Sequence, residues 1–147
     1  MDALDKAILV CLSENARMTA SAIGKRVRLS VSSVTERMKK LEESGIIERY
    51  TLLVDGEAID RNTEAYFEVT LENASYEESF CAIACSLPEV LRCDLIATDF
   101  DCILFVNCAD VNALDELRMK LSNLHGVKGI KVHLVLHRHK RSVSPLI

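Results

Sequence analysis

Residues 19–50 read TASAIGKRVRLSVSSVTERMKKLEESGIIERY, and this stretch decides the fold of the N-terminal part of the chain. It contains two short segments with the apolar spacing of helices, separated by a tight break. A serine-rich turn opens the second segment, which carries basic residues on one side and is followed by Gly45 and a short β-branched run. This order is typical of proteins that insert a helix into the major groove of DNA. DNA binding is therefore the first hypothesis about function.

Three helices are predicted in this region, and the second and third form a helix-turn-helix. The first covers residues 2–13, with Asp2 as its cap. Thr19 caps the second, which ends near Arg28, and Ser30 caps the third by accepting a hydrogen bond from a free backbone N–H. Gly45 ends the third helix, because glycine readily adopts the left-handed backbone that often follows a helix. The residues of the third helix that are expected to be buried are Val34, Met38 and Leu41.

The other faces of the third helix are polar and provide the candidate DNA-binding residues. A solvated helix face without a ligand is the alternative interpretation, but the helix pair and the strands expected after it favour DNA binding. The candidates for contact with base edges are Ser32, Ser33, Thr35, Glu36 and Lys39. The candidates for contact with phosphates are Ser30, Arg37 and Lys40.

Residues 46–54 are predicted to form one or two short strands, which would make the wing of a winged helix domain. Residues 55–63 contain turn-forming residues and few apolar groups, so they are predicted to be a linker. The predicted N-terminal DNA-binding domain therefore covers residues 1–54.

Residues 64–147 are predicted to form a second domain of the α+β class. The predicted strands cover residues 64–72, 91–98, 100–108 and 130–137, and the predicted helices cover residues 76–87 and 111–124. Ile83 and Val111 are among the helical residues expected to face the core. The order is β-α-β-β-α-β, which is the ferredoxin-like arrangement.

The strand at residues 100–108 is apolar on both faces, which predicts self-association. Leu104 and Val106 lie on one face, and Ile103 and Phe105 lie on the other. Helices cover only one face of such a sheet, so the other face needs a cover. The expected cover is the same sheet of a second subunit, in an isologous homodimer. A dimer also presents the third helix of each subunit to DNA, and operator binding usually requires two such helices.

The net charge of −4 is unusual for a DNA-binding protein, but the charges are unevenly distributed. Residues 17–49 contain eight Lys/Arg and four Glu, which gives a net charge of +4. Residues 62–136 contain five Lys/Arg and twelve Asp/Glu, which gives −7, and residues 137–147 carry +3. We therefore expect the basic N-terminal part to face DNA and the acidic part to face away.

The six cysteines are expected to be reduced residues of the core, because each lies in an apolar run and no CxxC pair is present. Cys81 and Cys85 are one helical turn apart, so a metal site is the alternative for this pair. No cofactor is expected. The chain has no apolar run of the roughly 20 residues that span a membrane, and its N-terminus lacks the basic start of a signal peptide. A cytoplasmic location is predicted.

Four segments resemble the leucine-responsive regulatory protein/AsnC (Lrp/AsnC) family of transcriptional regulators. They are LDKAIL at residues 4–9, LSVSSVTERMKKLEESGIIERY at 29–50, DFDCILFV at 99–106 and HGVKGIKVHLVL at 125–136. The resemblance covers nearly the whole chain and implies a winged helix-turn-helix before a domain that dimerises and senses small molecules. It also implies that dimers assemble further, often into octamers, and that an amino acid effector binds where dimers meet.

The resemblance places the effector near the loop between the second and third strands of the C-terminal domain, which here consists of Thr98, Asp99, Phe100 and Asp101. The family usually has glycine at the first of these positions, and glycine lets backbone approach a ligand closely. The threonine side chain would narrow the pocket, change the ligand or remove it. The family also often has glycine in the helix-turn-helix turn, where Arg28 in a left-handed conformation would cost roughly 1 kcal/mol.

Two other functions stay open on the sequence alone. Sirohaem decarboxylases look like this family, although the chain has no phosphate loop, HExxH or nucleophile elbow. An architectural DNA-binding protein with little sequence preference is the other alternative. The run HRHKR at residues 137–141 is predicted to be a mobile basic tail that contacts DNA or the acidic domain of a neighbour, in preference to a histidine metal site.

Overall fold

The computed structural model describes residues 1–140, in which residues 1–53 and residues 54–139 form two compact units. The first unit contains the helices α1 (Ala3–Glu14), α2 (Ala20–Val27) and α3 (Val31–Glu43). The second unit contains β1 (Thr63–Leu71), α4 (Glu77–Cys85), β2 (Val90–Leu95), β3 (Cys102–Cys108), α5 (Val111–Ser122) and β4 (Val127–Leu134). The three predicted helices and the predicted βαββαβ order are both confirmed. Within residues 1–140, no helix combines the length and the apolar character needed to cross a membrane.

Side chains cap every helix of the first unit at its N-terminus. Asp2 and Asp5 form a capping box at α1, in which each carboxylate accepts a hydrogen bond from the backbone N–H of the other. Thr19 and Ser30 cap α2 and α3, as the sequence predicts. These bonds satisfy backbone donors that have no partner within the helix, so the helix starts are set locally by the sequence.

The turn between α2 and α3 is tight and brings two backbone segments together. Arg28 adopts the left-handed conformation considered above, with φ 58° and ψ 45°. The N–H of Leu29 then donates to the carbonyl of Gly24 at 3.0 Å. A Cβ on Gly24 would lie 2.6 Å from the carbonyl oxygen of Leu29, so only glycine fits there.

The core of the first unit forms where the three helices meet. Ile8, Ile23 and Val34 are fully buried, one from each helix, and Leu41 is nearly so. Met38 is partly buried and packs against the same cluster. The predicted apolar stripe of α3 therefore faces α1 and α2, which directs the opposite side of α3 to solvent.

The second unit is a four-stranded antiparallel sheet in the order β2-β3-β1-β4. Phe67 in the central strand β1 lies opposite Leu104 in β3 and Val132 in β4. One face of the sheet is covered by α4 and α5, and its side chains form the core. The fully buried residues of β1 and β3 on this face are Ala65, Phe67, Val69, Cys102, Leu104 and Val106.

The prediction of strands at residues 46–54 is wrong, because this segment forms no strand. Leu52 and Leu53 are exposed, and an isolated pair of strands without an apolar cover is only marginally stable. The Tyr50 hydroxyl instead donates to Glu42 at 2.7 Å, which ties the segment to α3. Burial and the nearby Glu42 carboxylate raise the pKa of Tyr50 to about 12.

Residues 55–63 pack on the second unit, although the sequence favours a linker there. A short turn at Glu57–Ile59 precedes Arg61, whose guanidinium donates to the carbonyl of Asn107 at 3.1 Å. This bond joins residues 46 positions apart, so a local pattern gives no sign of it. The division into a DNA-binding domain at 1–54 and an effector domain at 64–147 stays a prediction.

Two side chains that were expected in the core of the second unit are exposed. Ile83 is 41% exposed because α4 buries a narrow side that consists of Phe80 and Ala84. Val111 is 62% exposed because it is the first residue of α5, before the buried side of that helix begins at Leu114.

Candidate nucleic-acid interface and effector loop

The outward side of α3 carries four of the predicted base-contacting residues. Helical spacing places Ser32, Thr35, Glu36 and Lys39 opposite the buried Val34, and all four are exposed. They form one continuous surface, which we call the reading face. The Thr35 hydroxyl donates to the carbonyl of residue 31 at 2.9 Å, a bond within the helix that leaves its oxygen accessible.

The N-terminus of α3 is surrounded by hydroxyl groups. The Ser30 oxygen accepts from the backbone N–H of Ser33 at 3.1 Å, and lies 3.0 Å from the Ser32 hydroxyl and 2.8 Å from the Ser33 hydroxyl. No acidic residue occupies the first turn of this helix. Free N–H groups and the positive end of the helix dipole favour anions at such a position, so Ser30 is placed where a DNA phosphate would be stabilised.

The lysines of α3 form ion pairs that DNA can readily replace. Lys40 lies 2.7 Å from Glu36 and Lys39 lies 3.6 Å from Glu43, one turn along the helix in each case. All four side chains are more than 60% exposed, and surface pairs of this type contribute roughly 0.3–0.5 kcal/mol. The lysines are therefore accessible to phosphates at small cost.

Arg37 forms contacts within the first unit that the sequence did not predict. Its guanidinium donates at 2.7 Å to both Asp2 and Asp5, the residues of the capping box of α1. Its side chain is 30% exposed and that of Asp5 is 16% exposed, so these ion pairs are partly shielded from water. Nη1 of Arg37 holds α3 against α1 through both bonds, and the phosphate contact of Arg37 stays a prediction.

Ser33 does not lie on the reading face, and its contact with base edges stays a prediction. With Glu36, Arg37 and Lys40 it lines a groove of about 510 Å³ between α3 and the start of α1. Ser33 is only partly exposed, and its hydroxyl contacts Ser30. Ser33 thus supports the helix N-terminus more directly than it faces a ligand.

The structure adds Val31 to the candidate residues, which sequence reasoning missed. Val31 is the first residue of α3 and is 52% exposed, outside the buried stripe. Residues at the start of a recognition helix contact base edges, and an apolar side chain suits the methyl group of thymine. The sequence contained no signal of this, since Val31 precedes Val34 by three residues and so fits the spacing of the buried stripe.

Three basic residues near α3 add positive charge. Lys25, Arg28 and Arg49 are exposed, and within residues 1–140 none of them forms an ion pair. Such groups attract the DNA backbone without reading its sequence. Local patterning did not distinguish them from an ordinary solvated surface.

The effector loop, residues 96–101, joins β2 to β3 and contains all four predicted effector-binding residues. Asp101 is partly buried, and its carboxylate accepts from the backbone N–H of Leu71 at 2.7 Å. Its own N–H donates to the carbonyl of Val69 at 2.9 Å, and its carbonyl accepts from Ile96 at 3.1 Å. Asp101 therefore anchors the loop to the end of β1.

The other residues of the effector loop face solvent to a greater extent. The Thr98 hydroxyl contacts the carbonyl and the N–H of Phe100 at 3.3 and 3.4 Å, so it closes a tight turn. Thr98 has a negative φ, so the backbone that replaces the family glycine is not strained. Asp99 is exposed, and among the hydrogen bonds and ion pairs of residues 1–140 its carboxylate has no partner. Asp99 is the acidic group of this loop that is free to meet a ligand.

The face of the sheet that α4 and α5 leave uncovered has an apolar centre. The rings of Tyr66 and Phe105 lie 5.1 Å apart between centroids, and Ile103 lies next to Phe105 along this face. The guanidinium of Arg138 lies 4.8 Å from the centre of the Phe105 ring. Polar contacts surround this centre and join Glu64 to Arg138, Glu68 to His133 and Arg92 to Asp94.

Arg138 contradicts the prediction of a mobile basic tail from residue 137 onward. It pairs with Glu64 at 2.6 Å and packs on Phe105, so it belongs to the sheet face. His137, His139 and Lys140 are exposed, and Arg141 lies outside the described residues. Within residues 1–140, no group of three or more His, Cys, Asp or Glu side chains is arranged to hold a metal ion.

Comparison with known proteins agrees with this geometry. Residues 1–48 match a winged helix-turn-helix DNA-binding family, and residues 64–145 match the Lrp/AsnC ligand binding domain. The leucine-responsive regulatory protein of Salmonella typhimurium is 31% identical over 145 residues, which are 97% of this chain and 88% of that protein.

Solved structures give the same result. The transcriptional regulator NMB0573 of Neisseria meningitidis, in complex with L-Met, matches with a TM-score of 0.94 at 32% identity, over 98% of this chain and 95% of that chain. LrpC of B. subtilis matches with a TM-score of 0.87 at 29% identity, over 95% and 97% of the two chains.

A helix-turn-helix with an exposed reading face, followed by a βαββαβ ligand-binding domain, defines a DNA-binding transcriptional regulator. The chain belongs to the Lrp/AsnC family, as the resemblance of its motifs predicts. The relatives named here are regulators and not enzymes, which favours regulation over the decarboxylase alternative.

Proposed function

We propose that α3 enters the major groove of DNA and reads base edges through Ser32, Thr35, Glu36 and Lys39. The observation that carries this proposal is the exposure of these four residues on one side of a capped helix whose other side is packed against α1 and α2. Val31 extends the reading face at its N-terminal end. Ser30 and Lys40 would contact the phosphates on either side, while Arg37 supports the helix from within.

Salt dependence of DNA affinity separates the two kinds of contact. If Lys40 contacts a phosphate, Lys40→Ala weakens binding to all sequences and reduces the slope of log K against log salt by about 0.9. If Thr35 reads a base, Thr35→Ala changes the sequences selected from a random pool and leaves this slope unchanged. Lys120→Ala is the matched control, since Lys120 is an exposed lysine in the acidic second unit. An unchanged slope in Lys40→Ala, with altered sequence choice, would reverse its assignment.

We propose that the second unit binds an amino acid near Thr98, Asp99 and Phe100. The support is its match to the Lrp/AsnC ligand binding domain, together with the L-Met complex of the Neisseria regulator that shares its fold. The Asp99 carboxylate suits the ammonium group of an amino acid, because opposite charges attract at short range. Phe100 is partly buried beside it and offers an apolar surface.

Calorimetry with each of the twenty amino acids tests this site directly. We expect heat and a raised melting temperature with at least one of them, loss of both in Asp99→Ala, and a changed ligand preference in Thr98→Gly. Asp101 is not a useful test of binding, because its removal would release the loop from β1. No heat with any of the twenty, and no shift in melting temperature, would overturn the proposal.

We propose that two chains pair through the uncovered face of the sheet, and that dimers then assemble further, up to an octamer. The apolar centre formed by Tyr66, Phe105 and Ile103 suits a dry contact, and the polar contacts around it suit a polar rim. An amino acid bound where dimers meet would couple effector concentration to DNA binding.

Solution mass measurements test this assembly. Phe105→Glu places an unpaired charge in the apolar centre, so we expect it to give monomers. Met119→Glu is the control, since Met119 is an exposed apolar residue on α5, on the opposite side of the sheet. Met119→Glu should keep the mass of the unaltered protein, and the proposal fails if Phe105→Glu keeps it as well.

A further inference from the structure

Three cysteines lie near one another where α4 meets the edge strand β2. Cys81 and Cys85 lie one helical turn apart on α4, and Cys93 lies in β2. The sulphur atoms of Cys81 and Cys93 are 3.8 Å apart, and both residues are partly buried. Cys85 is exposed, so the group is accessible to a small molecule from one side.

The thiols of this group influence one another. Burial raises the pKa of Cys93, and the neighbouring Cys81 and Cys85 raise it further. Burial, followed by the effect of Cys81, also raises the pKa of Cys102, in the adjacent strand β3, to about 12. The protonated form of a buried thiol reacts slowly, so direct attack by Cys93 or Cys102 on an oxidant is disfavoured. The exposed Cys85 is the thiol that can react first.

Metal binding and redox chemistry are the two uses of clustered thiols, and the geometry distinguishes them. Across residues 1–140, no set of three or more potential ligands is arranged around a common point, which argues against a metal ion. The sulphur atoms of Cys81 and Cys93 are 3.8 Å apart and would need to approach to about 2.0 Å to form a disulfide.

We propose that Cys81 and Cys93 form a reversible disulfide by exchange with a small-molecule disulfide, and that Cys85 is the first thiol to react. The Cys85 thiolate attacks one sulphur of the small disulfide RSSR, which forms a mixed disulfide and releases RS⁻. Cys93 then attacks the Cys85 sulphur and releases the second RS⁻. Finally Cys81 attacks Cys93 and frees Cys85. Overall two cysteine thiols are oxidised, one RSSR is reduced to two RSH, and no other reactant is needed.

The bond would act on the part of the second unit that holds the effector loop. Among the strands of residues 1–140, β2 is at the edge of the sheet and pairs with β3 alone. Its last residue, Leu95, leads directly into loop 96–101. A disulfide from Cys81 would attach this strand covalently to α4, in addition to its hydrogen bonds to β3.

Thiol counting on the full-length protein tests the proposal. The reduced protein is incubated with excess oxidised glutathione at pH 8, then denatured and alkylated with N-ethylmaleimide. We expect the number of alkylated cysteines to fall from six to four. Digestion with trypsin should then give one new disulfide between the peptides at 62–92 and 93–118, absent after reduction, and fragmentation of this pair should place the bond at Cys81 and Cys93. Six alkylated cysteines, or a new bond in any other pair of peptides, would overturn the proposal.

Single substitutions test the order of steps. Cys93→Ser should stop at a glutathione adduct on Cys85, and Cys85→Ser should form the Cys81–Cys93 bond several-fold more slowly. Cys11→Ser is the matched control, because Cys11 is buried in the first unit. This variant should form the Cys81–Cys93 bond at the same rate as the unaltered protein. Cys93→Ala replaces Cys93→Ser if circular dichroism shows that the serine variant is unfolded. An equal rate in Cys85→Ser would remove Cys85 from the pathway.

Discussion

The reading face of α3 and the effector loop at residues 96–101 hold the two groups of predicted site residues, but they use their side chains differently. On α3, the contacts of Thr35, Lys39 and Lys40 stay within one turn of the helix, so the side chains are available to DNA. In the loop, Asp101 is bonded to β1 and Asp99 is not. The comparison shows that the helical period alone sets the direction of a side chain on α3. A side chain in the loop can instead form hydrogen bonds that stabilise the fold.

The turn before α3 gives the largest test of this difference. Gly24→Ala places a Cβ 2.6 Å from the Leu29 carbonyl oxygen, so the two helices must move apart. We expect the free energy of unfolding to fall by about 3 kcal/mol, by the usual cost of overpacking, and DNA affinity to fall with it. Thermal unfolding and DNA titration measure the two effects.

Gly129→Ala is the control for that substitution. A Cβ at Gly129 has no atom within 4 Å, and its φ is not in the left-handed region. Stability should be unchanged or slightly higher, by at most about 1 kcal/mol. If Gly24→Ala is as stable as Gly129→Ala, the reading face does not depend on this turn.

Asp101 and Asp99 give the next test, since they are two carboxylates of one loop with different contacts. Asp101→Ala leaves the Leu71 N–H without its partner, which should cost about 2 kcal/mol. Asp99→Ala should change stability by less than about 0.5 kcal/mol and affect only ligand binding. Denaturant unfolding of both variants measures this contrast. Equal losses of stability in the two variants would show that Asp101 does not anchor the loop more strongly than Asp99 does.

Arg28 gives a smaller effect of opposite sign. It holds a left-handed conformation that costs a non-glycine residue roughly 1 kcal/mol, and it is exposed. Arg28→Gly should therefore raise the free energy of unfolding by up to about 1 kcal/mol, measured by denaturant titration. DNA affinity should fall slightly at low salt, because one cation is lost. A loss of stability instead would mean that the Arg28 side chain stabilises the turn.

The smallest effect concerns pH and the contacts beneath the reading face. The backbone N–H groups of the capping box, followed by the Arg37 guanidinium, lower the pKa of Asp2 and Asp5 below 3.8. A lowered pKa in the folded state means that these carboxylates stabilise the fold above pH 3.8, and that this contribution is lost as the pH falls through their folded pKa.

Acid unfolding of Asp5→Asn measures this contribution. The variant should be less stable than the unaltered protein at pH 6, and the difference should shrink as the pH falls below 3.8. Circular dichroism between pH 6 and pH 2 follows both proteins. A difference that does not change with pH would show that Asp5 acts through its shape and not its charge.

The sequence was sufficient to predict the features that depend on local chemistry. The caps at Thr19 and Ser30 and the left-handed backbone of Gly45 follow from residue type. The positions of the strands of the second unit along the chain follow from the alternation of apolar and polar residues. The features it missed depend on distant partners. Arg61 bonds to Asn107, and Arg138 bonds to Glu64, 74 positions away. The contacts of Arg37 were missed for the same reason, because Asp2 and Asp5 lie at the start of another helix.

The ion pairs of Arg37 with Asp2 and Asp5 affect which residues are expected to vary together among related sequences. A position on a recognition helix is normally expected to change together with the operator. Position 37 should instead change together with positions 2 and 5, because a cation there without its carboxylates would be free to bind phosphate. In relatives that lack acids at those two positions, the same helix would present one more cation to DNA and discriminate less between sequences.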